Sequence, residues 1–167
     1  MQYVKNKNDK FLHPDNALMT QLNNGRITTV LGSCIAITMY CEHDRAGAIC
    51  HASLPICPDL KLNLNINSPL VFKYVDSSIY KMIEWFESKN IDIRKLEVKM
   101  FGGANYLLRA AGDKRIFNVG KNNIETARKI LKEFRLNLKS TDIGGSDGRK
   151  IIFDVSDGVV LLKRIPH

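Results

Sequence analysis

At 167 residues the chain fits one folded domain with a sizeable core, and 44% hydrophobic against 25% charged residues excludes a disordered or fibrous protein. Its longest apolar runs, such as Cys34–Tyr40, are strand-sized, and no apolar stretch follows the charged start MQYVKNKNDKF, so neither a membrane span nor a secretory leader is expected and the setting is read as cytoplasmic. The net charge of +8 is dispersed in short groups with no RNP-like aromatic motif or zinc-finger spacing, which favours an acidic protein partner over nucleic acid.

Residues 1–25 read as an N-terminal extension. Strand-like runs follow at Ile27–Leu31, Cys34–Tyr40 and Ala46–Leu54. The Asn- and Pro-rich stretch Pro55–Pro69 reads as a long loop, of the kind that often forms a lid or binding loop. Ser68-Pro69 offers a cap and a first helical position. Phe72, Val75, Ile79, Met82, Ile83 and Phe86 then recur at helical spacing through Ser88. After a strand at Leu96–Phe101, a second helix is predicted from Asn122, a cap with Glu125 three residues on, and its stripe is Ile124, Ala127, Ile130, Leu131 and Phe134. Strands at Leu136–Ile143, Lys150–Val155 and Val159–Ile165 close the chain, the last two joined by the turn pair Asp157-Gly158. The expected fold is α/β, a layered sandwich of mixed, largely antiparallel β-sheet packed by two main helices in a single domain, 1–167.

Four cysteines, Cys34, Cys41, Cys50 and Cys57, form no CxxC pair, so the zinc signal is weak and free thiols are expected. Leu31-Gly32-Ser33-Cys34 interrupts two apolar runs with small residues, as a nucleophile on a tight turn requires. Amides at such a bend, those of Gly32 and Ser33 among them, can face a developing oxyanion. Alone, the tetrapeptide reads first as a small buried cysteine at a β-bulge. His51 changes the balance. In an extended strand Gly47, Ile49, His51 and Ser53 share one face, while Ala48, Cys50 and Ala52 share the other. A histidine among such small residues needs a polar partner, and a Cys–His pair is the minimum unit for thiol activation. Thr28, in the preceding strand, is a candidate to accept the imidazole Nδ1–H, although packing alone also accounts for a strand threonine. The glycines of Phe101-Gly102-Gly103-Ala104 and Gly144-Gly145 close strands without P-loop character and are placed at the border of the same groove.

In order along the chain, Thr28 with Leu31-Gly32-Ser33-Cys34, Gly47-Ala48, His51, Leu54-Pro55, Gly102-Gly103-Ala104, Asn118-Val119-Gly120 with Asn123, and Asp142-Ile143-Gly144-Gly145 with Gly148-Arg149 resemble the chemoreceptor glutamine deamidase family, CheD. The resemblance implies a Cys34–His51–Thr28 site, with an arrangement related to the cytotoxic necrotizing factor deamidases. It implies hydrolysis of glutamine side-chain amides on chemoreceptors (methyl-accepting chemotaxis proteins) and binding of a CheC-type phosphatase, with no metal and no cofactor. Gly32, Ser33, Gly102 and Gly103 are the expected substrate and oxyanion positions. One departure is Asn122, which stands where the family often has arginine. Alternatives from other classes are a catalytically weak regulatory module, another cysteine amidase or transglutaminase, and a basic nucleic-acid binder.

Overall fold

A computed structural model describes residues 8–59, 68, 70–105 and 119–166. Nine strands form two sheets among these residues: β1 (Lys10–Phe11), β2 (Asn16–Gln21), β3 (Arg26–Leu31), β4 (Ile35–Cys41), β5 (Ala46–Ala52), β6 (Glu97–Gly102), β7 (Asn137–Ile143), β8 (Gly148–Asp154) and β9 (Val160–Ile165). The four-stranded sheet runs β1-β3-β8-β9 and the five-stranded sheet β2-β5-β4-β6-β7. Only β1–β3 and β6–β7 pair in parallel, so the sheets are mixed and largely antiparallel, as expected. Two helices, α1 (Val75–Ser88) and α2 (Val119–Glu133), pack on each other and on one face of the larger sheet.

The layers follow from strand alternation. Strands β4 and β5 are buried at every residue, because helices cover one face and the second sheet covers the other. Ala48, Cys50 and Ala52 meet Val75, Ile79, Met82 and Phe86 in the helix-side core. Ile49 and Ala36 point the other way and meet Leu31, Ile151 and Phe153 between the sheets. The facing assigned to β5 from its sequence is therefore the one observed. Both predicted helix stripes also lie in the helix-side core, apart from Phe72, which precedes α1. Each fully buried side chain of that size contributes about 1.5–3 kcal/mol.

Both helices start elsewhere than predicted. Helix α1 begins at Val75 rather than Ser68-Pro69, because the end of β5 captures the intervening backbone. Ser53 and Leu54 donate to the Lys73 carbonyl at 3.0 and 3.1 Å, and the Val75 amide donates to Leu54 at 2.8 Å. Helix α2 is already formed at Val119, so Asn122 is an exposed helical residue and not a cap. Glu125 pairs with Lys121 at 3.7 Å instead of closing a capping box. The N-terminal extension is also more than an appendage: β1 and β2 add a strand to each sheet, and Leu12 is 6% exposed in the inter-sheet core. Of the predicted loop Pro55–Pro69, residues 60–67 and 69 lie outside the described residues, as does Asn118.

Candidate active site

Strand β3 belongs to one sheet and β4 to the other, so Gly32-Ser33-Cys34 is the step that crosses between them. Two backbone contacts hold this step. The Gly103 amide donates to the Cys34 carbonyl and the Ala104 amide to the Gly32 carbonyl, both at 2.8 Å. Gly102 and Gly103 have φ of 101° and 65°, which favours glycine at both positions. A Cβ on Gly102 would collide with the Cys34 carbonyl oxygen. The second glycine cluster borders the same place, since Gly144 donates to the Gly102 carbonyl at 2.9 Å and Asn105 to that of Gly145 at 2.8 Å. With its amide spent on Cys34, Gly103 holds the loop instead of facing an oxyanion.

From α2, Asn123 adds a clamp that sequence reasoning left without a role. Its Nδ2 donates to the Ser33 carbonyl at 3.1 Å and to the Ser53 carbonyl at 3.0 Å. The side chain is 0% exposed, and its Oδ1 has no hydrogen-bond partner among the described residues. The Gly32-Ser33-Cys34 step and the end of β5 are thereby tied together by one amide group.

Cys34 and His51 are brought onto one face. His51 pairs with Ala36 across the β4–β5 ladder, and Cys34 lies two residues before Ala36. Cys34 is thus the diagonal neighbour of His51 on the inter-sheet face, where it packs against the core. Cys50 faces the helices instead, and its burial pushes the thiol up to about 12. The Cys41 thiol donates to Asp44 at 3.1 Å, at the far end of β4.

His51 is 2% exposed. Its Nδ1 lies 2.7 Å from the hydroxyl of Thr29, which also lies 2.8 Å from the Leu12 carbonyl. A carbonyl can only accept, so the hydroxyl proton goes to Leu12 and the hydroxyl oxygen accepts from Nδ1–H. That fixes the tautomer and leaves Nε2 with the lone pair a base needs. The residue in this position is Thr29 and not Thr28, which correction follows from parity: Ile27, Thr29 and Leu31 are buried, while Thr28 lies on the outer face with the exposed Val30. The apolar pair Ile27 and Leu31 carries that parity in the sequence.

Two more side chains complete the surroundings. Ser53 donates to Asp15 Oδ1, and its hydroxyl acts to lower the Cys34 thiol. Asp15 sits in the β1–β2 turn with φ 62°, and its amide donates to the His51 carbonyl at 2.8 Å. Burial dominates the electrostatics. It lowers His51 to about 4, opposed by the Asp15 charge. It raises the Cys34 thiol above its ordinary value, with Ser53 and the cysteine's own amide pulling down and Asp15 adding to the rise. Both groups are therefore neutral at rest near pH 7. No group of three or more His, Cys, Asp or Glu able to hold a metal occurs among the described residues. No described helix is long and apolar enough to cross a membrane.

A neutral thiol beside a tautomer-locked imidazole, on a loop between two sheets, defines a candidate cysteine hydrolase. The model of the family described as CheD chemotactic sensory transduction matches residues 58–164, and the chain belongs to that family. It is 43% identical to a probable chemoreceptor glutamine deamidase CheD 2 of Geobacter sulfurreducens over 83% of this chain and 79% of that one. Similar proteins include probable chemoreceptor glutamine deamidases CheD of Maridesulfovibrio salexigens, 34% identical over 93% of this chain and 91% of that one, and of Thermococcus kodakarensis, 35% identical over 82% and 81%. The family match begins after Cys34 and His51, so the assignment of roles to those two residues stands on geometry and chemistry.

Proposed function

We propose that this chain is a cysteine-dependent protein-glutamine deamidase of chemoreceptors, with Cys34 as nucleophile, His51 as general base and Thr29 as the residue that orients the imidazole. The observation that carries the reading is the Leu12–Thr29–His51 chain of hydrogen bonds, which presets a neutral histidine as a base on the face that bears Cys34. The names of the relatives supply the substrate class. Thr28 has no part in this mechanism.

Nε2 of His51 takes the thiol proton as Sγ attacks the glutamine Cδ, giving a tetrahedral oxyanion. The amides of Ser33 and Cys34 are the donors for that oxyanion in this reading, with Gly32 leaving room for the substrate. His51 returns the proton to the leaving nitrogen, ammonia departs and a thioester remains. Water, deprotonated by His51, hydrolyses the thioester to glutamate and restores the thiol. Gly102 and Gly103 act by holding the loop.

In this reading the protein acts in the cytoplasm, and a CheC-type phosphatase is its second partner. Ammonia release and mass mapping of receptor glutamines, before and after Cys34→Ala, form the test. Release that persists in a folded Cys34→Ala protein ends the proposal. Incorporation of an added primary amine in place of hydrolysis assigns the site to transglutamination.

A further inference from the structure

The wild-type thiol is faced by one hydroxyl that has two claimants. Ser53 follows β5 and continues its register, in which Ala52 pairs with Ile35, so Ser53 stands across from Cys34. Its position is fixed on three sides: its amide donates to the Lys73 carbonyl at 3.0 Å, its carbonyl accepts from Asn123 at 3.0 Å, and its hydroxyl donates to Asp15. Asp15 is fixed in turn by its amide on the His51 carbonyl at 2.8 Å. The other elements at this site present neutral groups: Thr29 from β3, Gly102 and Gly103 from the end of β6, and Asn123 from α2. Asp15 is thus the carboxylate that acts on both the thiol and the imidazole.

We propose that Ser53 is a further catalytic residue, a hydroxyl that donates to Asp15 in the resting site and to the Cys34 sulfur once the thiolate forms, and that Asp15 is its positioning partner. This rests on the reading of Cys34 and His51 as the reacting pair. Moving a proton from Sγ to Nε2 creates an anion and a cation in a buried place, where each costs free energy unless partnered. Ser53 keeps its own proton and only redirects it. The turn partners the new thiolate, and it releases the Asp15 carboxylate to face the new imidazolium. Asp15 alone has opposite effects on the two steps, because a carboxylate disfavours a nearby thiolate and favours a nearby imidazolium. The serine proton relieves the unfavourable half of that arrangement.

The test is the pH profile of iodoacetamide alkylation at Cys34, read by peptide mass mapping on the full chain, beside ammonia release from receptor. Loss of one hydrogen bond to the sulfur predicts that Ser53→Ala slows alkylation about 5–10-fold at fixed pH, with the profile moved to higher pH. Ser53→Thr, which keeps the hydroxyl, restores the wild-type profile. Asp15→Asn, an exchange the positive φ tolerates, separates the two effects: alkylation quickens while kcat for ammonia release falls. An unchanged profile in Ser53→Ala overturns the proposal, as does Asp15→Asn moving alkylation and kcat in the same direction. Failure of the underlying reading shows differently, as ammonia release that survives Cys34→Ala while the alkylation profile of Cys34 still answers to Ser53.

Discussion

Replacing Thr29 by valine keeps the shape of the side chain and removes the hydroxyl. Two buried groups then lose their partner at once, the Leu12 carbonyl at 2.8 Å and the His51 Nδ1–H at 2.7 Å. A buried polar group left unpaired costs about 1–3 kcal/mol, so the pair amounts to roughly 2–4 kcal/mol after the gain from an apolar methyl. For a chain of this size that lowers Tm by about 4–16 °C. Catalysis suffers separately, because the Thr29 hydroxyl no longer holds the proton on Nδ1. Loss of a hydrogen bond worth about 1 kcal/mol is about 5–10-fold in rate, and a ring free to turn adds to it. Thr29→Ser keeps the hydroxyl and loses a methyl, which costs about 1 kcal/mol of stability and leaves turnover close to wild type. Thr28→Val, on the outer sheet face, changes stability by about 0.5 kcal/mol or less and leaves turnover alone. Thermal unfolding and receptor deamidation on the three variants decide the matter. Wild-type turnover in Thr29→Val, or an equal loss in Thr28→Val, refutes the orienting role.

Lowering pH from about 6.5 to 4 should destabilise the fold, since the unfolded chain binds a proton on His51 that the native site refuses. The span between the ordinary 6.5 and the native value of about 4 corresponds to about 3 kcal/mol, read as denaturant midpoints, and His51→Gln should flatten the dependence. The acid limb of kcat/KM for free enzyme should likewise fall near pH 4, where the base becomes protonated; a limb at the ordinary histidine value contradicts the buried neutral imidazole. Gly102→Ala should unseat the Cys34 loop, costing both Tm and turnover, because its Cβ meets the Cys34 carbonyl at a positive φ; a stable, fully active variant refutes the clamp. In limited alkylation Cys34 should react before Cys50, whose thiol is fully buried and raised to about 12, and peptide mapping gives the order.

What the sequence discloses here depends on whether period and burial agree. In β5 the small residues Ala48, Cys50 and Ala52 alternate with Ile49 and His51, and because both faces are covered the alternation sorts them correctly. The helix stripes are legible for the same reason. In β3 two adjacent threonines mask the parity, and only Ile27 and Leu31 reveal that Thr29 faces inward. The N-terminal strands escape notice because β2 is partly exposed along its whole length and β1 has two residues, so neither shows a strong pattern. Asp15 and Asn123 act through backbone geometry: a positive φ in one case, two carbonyls from distant segments in the other. Such contacts join residues 70 and 90 positions apart and leave no local signal.

The burial that makes this site neutral at rest also bears on its selectivity. In water a thiolate–imidazolium pair is solvated and ready to react with any small electrophile. At the Cys34–His51 site the thiol is raised and the imidazole lowered to about 4, so burial opposes separation of charge before a substrate arrives. The same low dielectric strengthens the attraction between the two charges and every hydrogen bond to them once they form. In the proposed mechanism the balance turns when a docked glutamine brings its carbonyl to the backbone donors, so that Sγ attacks as the proton moves to His51. A resting thiol of this kind is less open to stray oxidation and alkylation, and in the proposed mechanism charge separation waits for the seating of the substrate side chain. Ser53, Asp15, Thr29 and Asn123 are the parts the proposal assigns to that coupling, and each is held by hydrogen bonds to backbone.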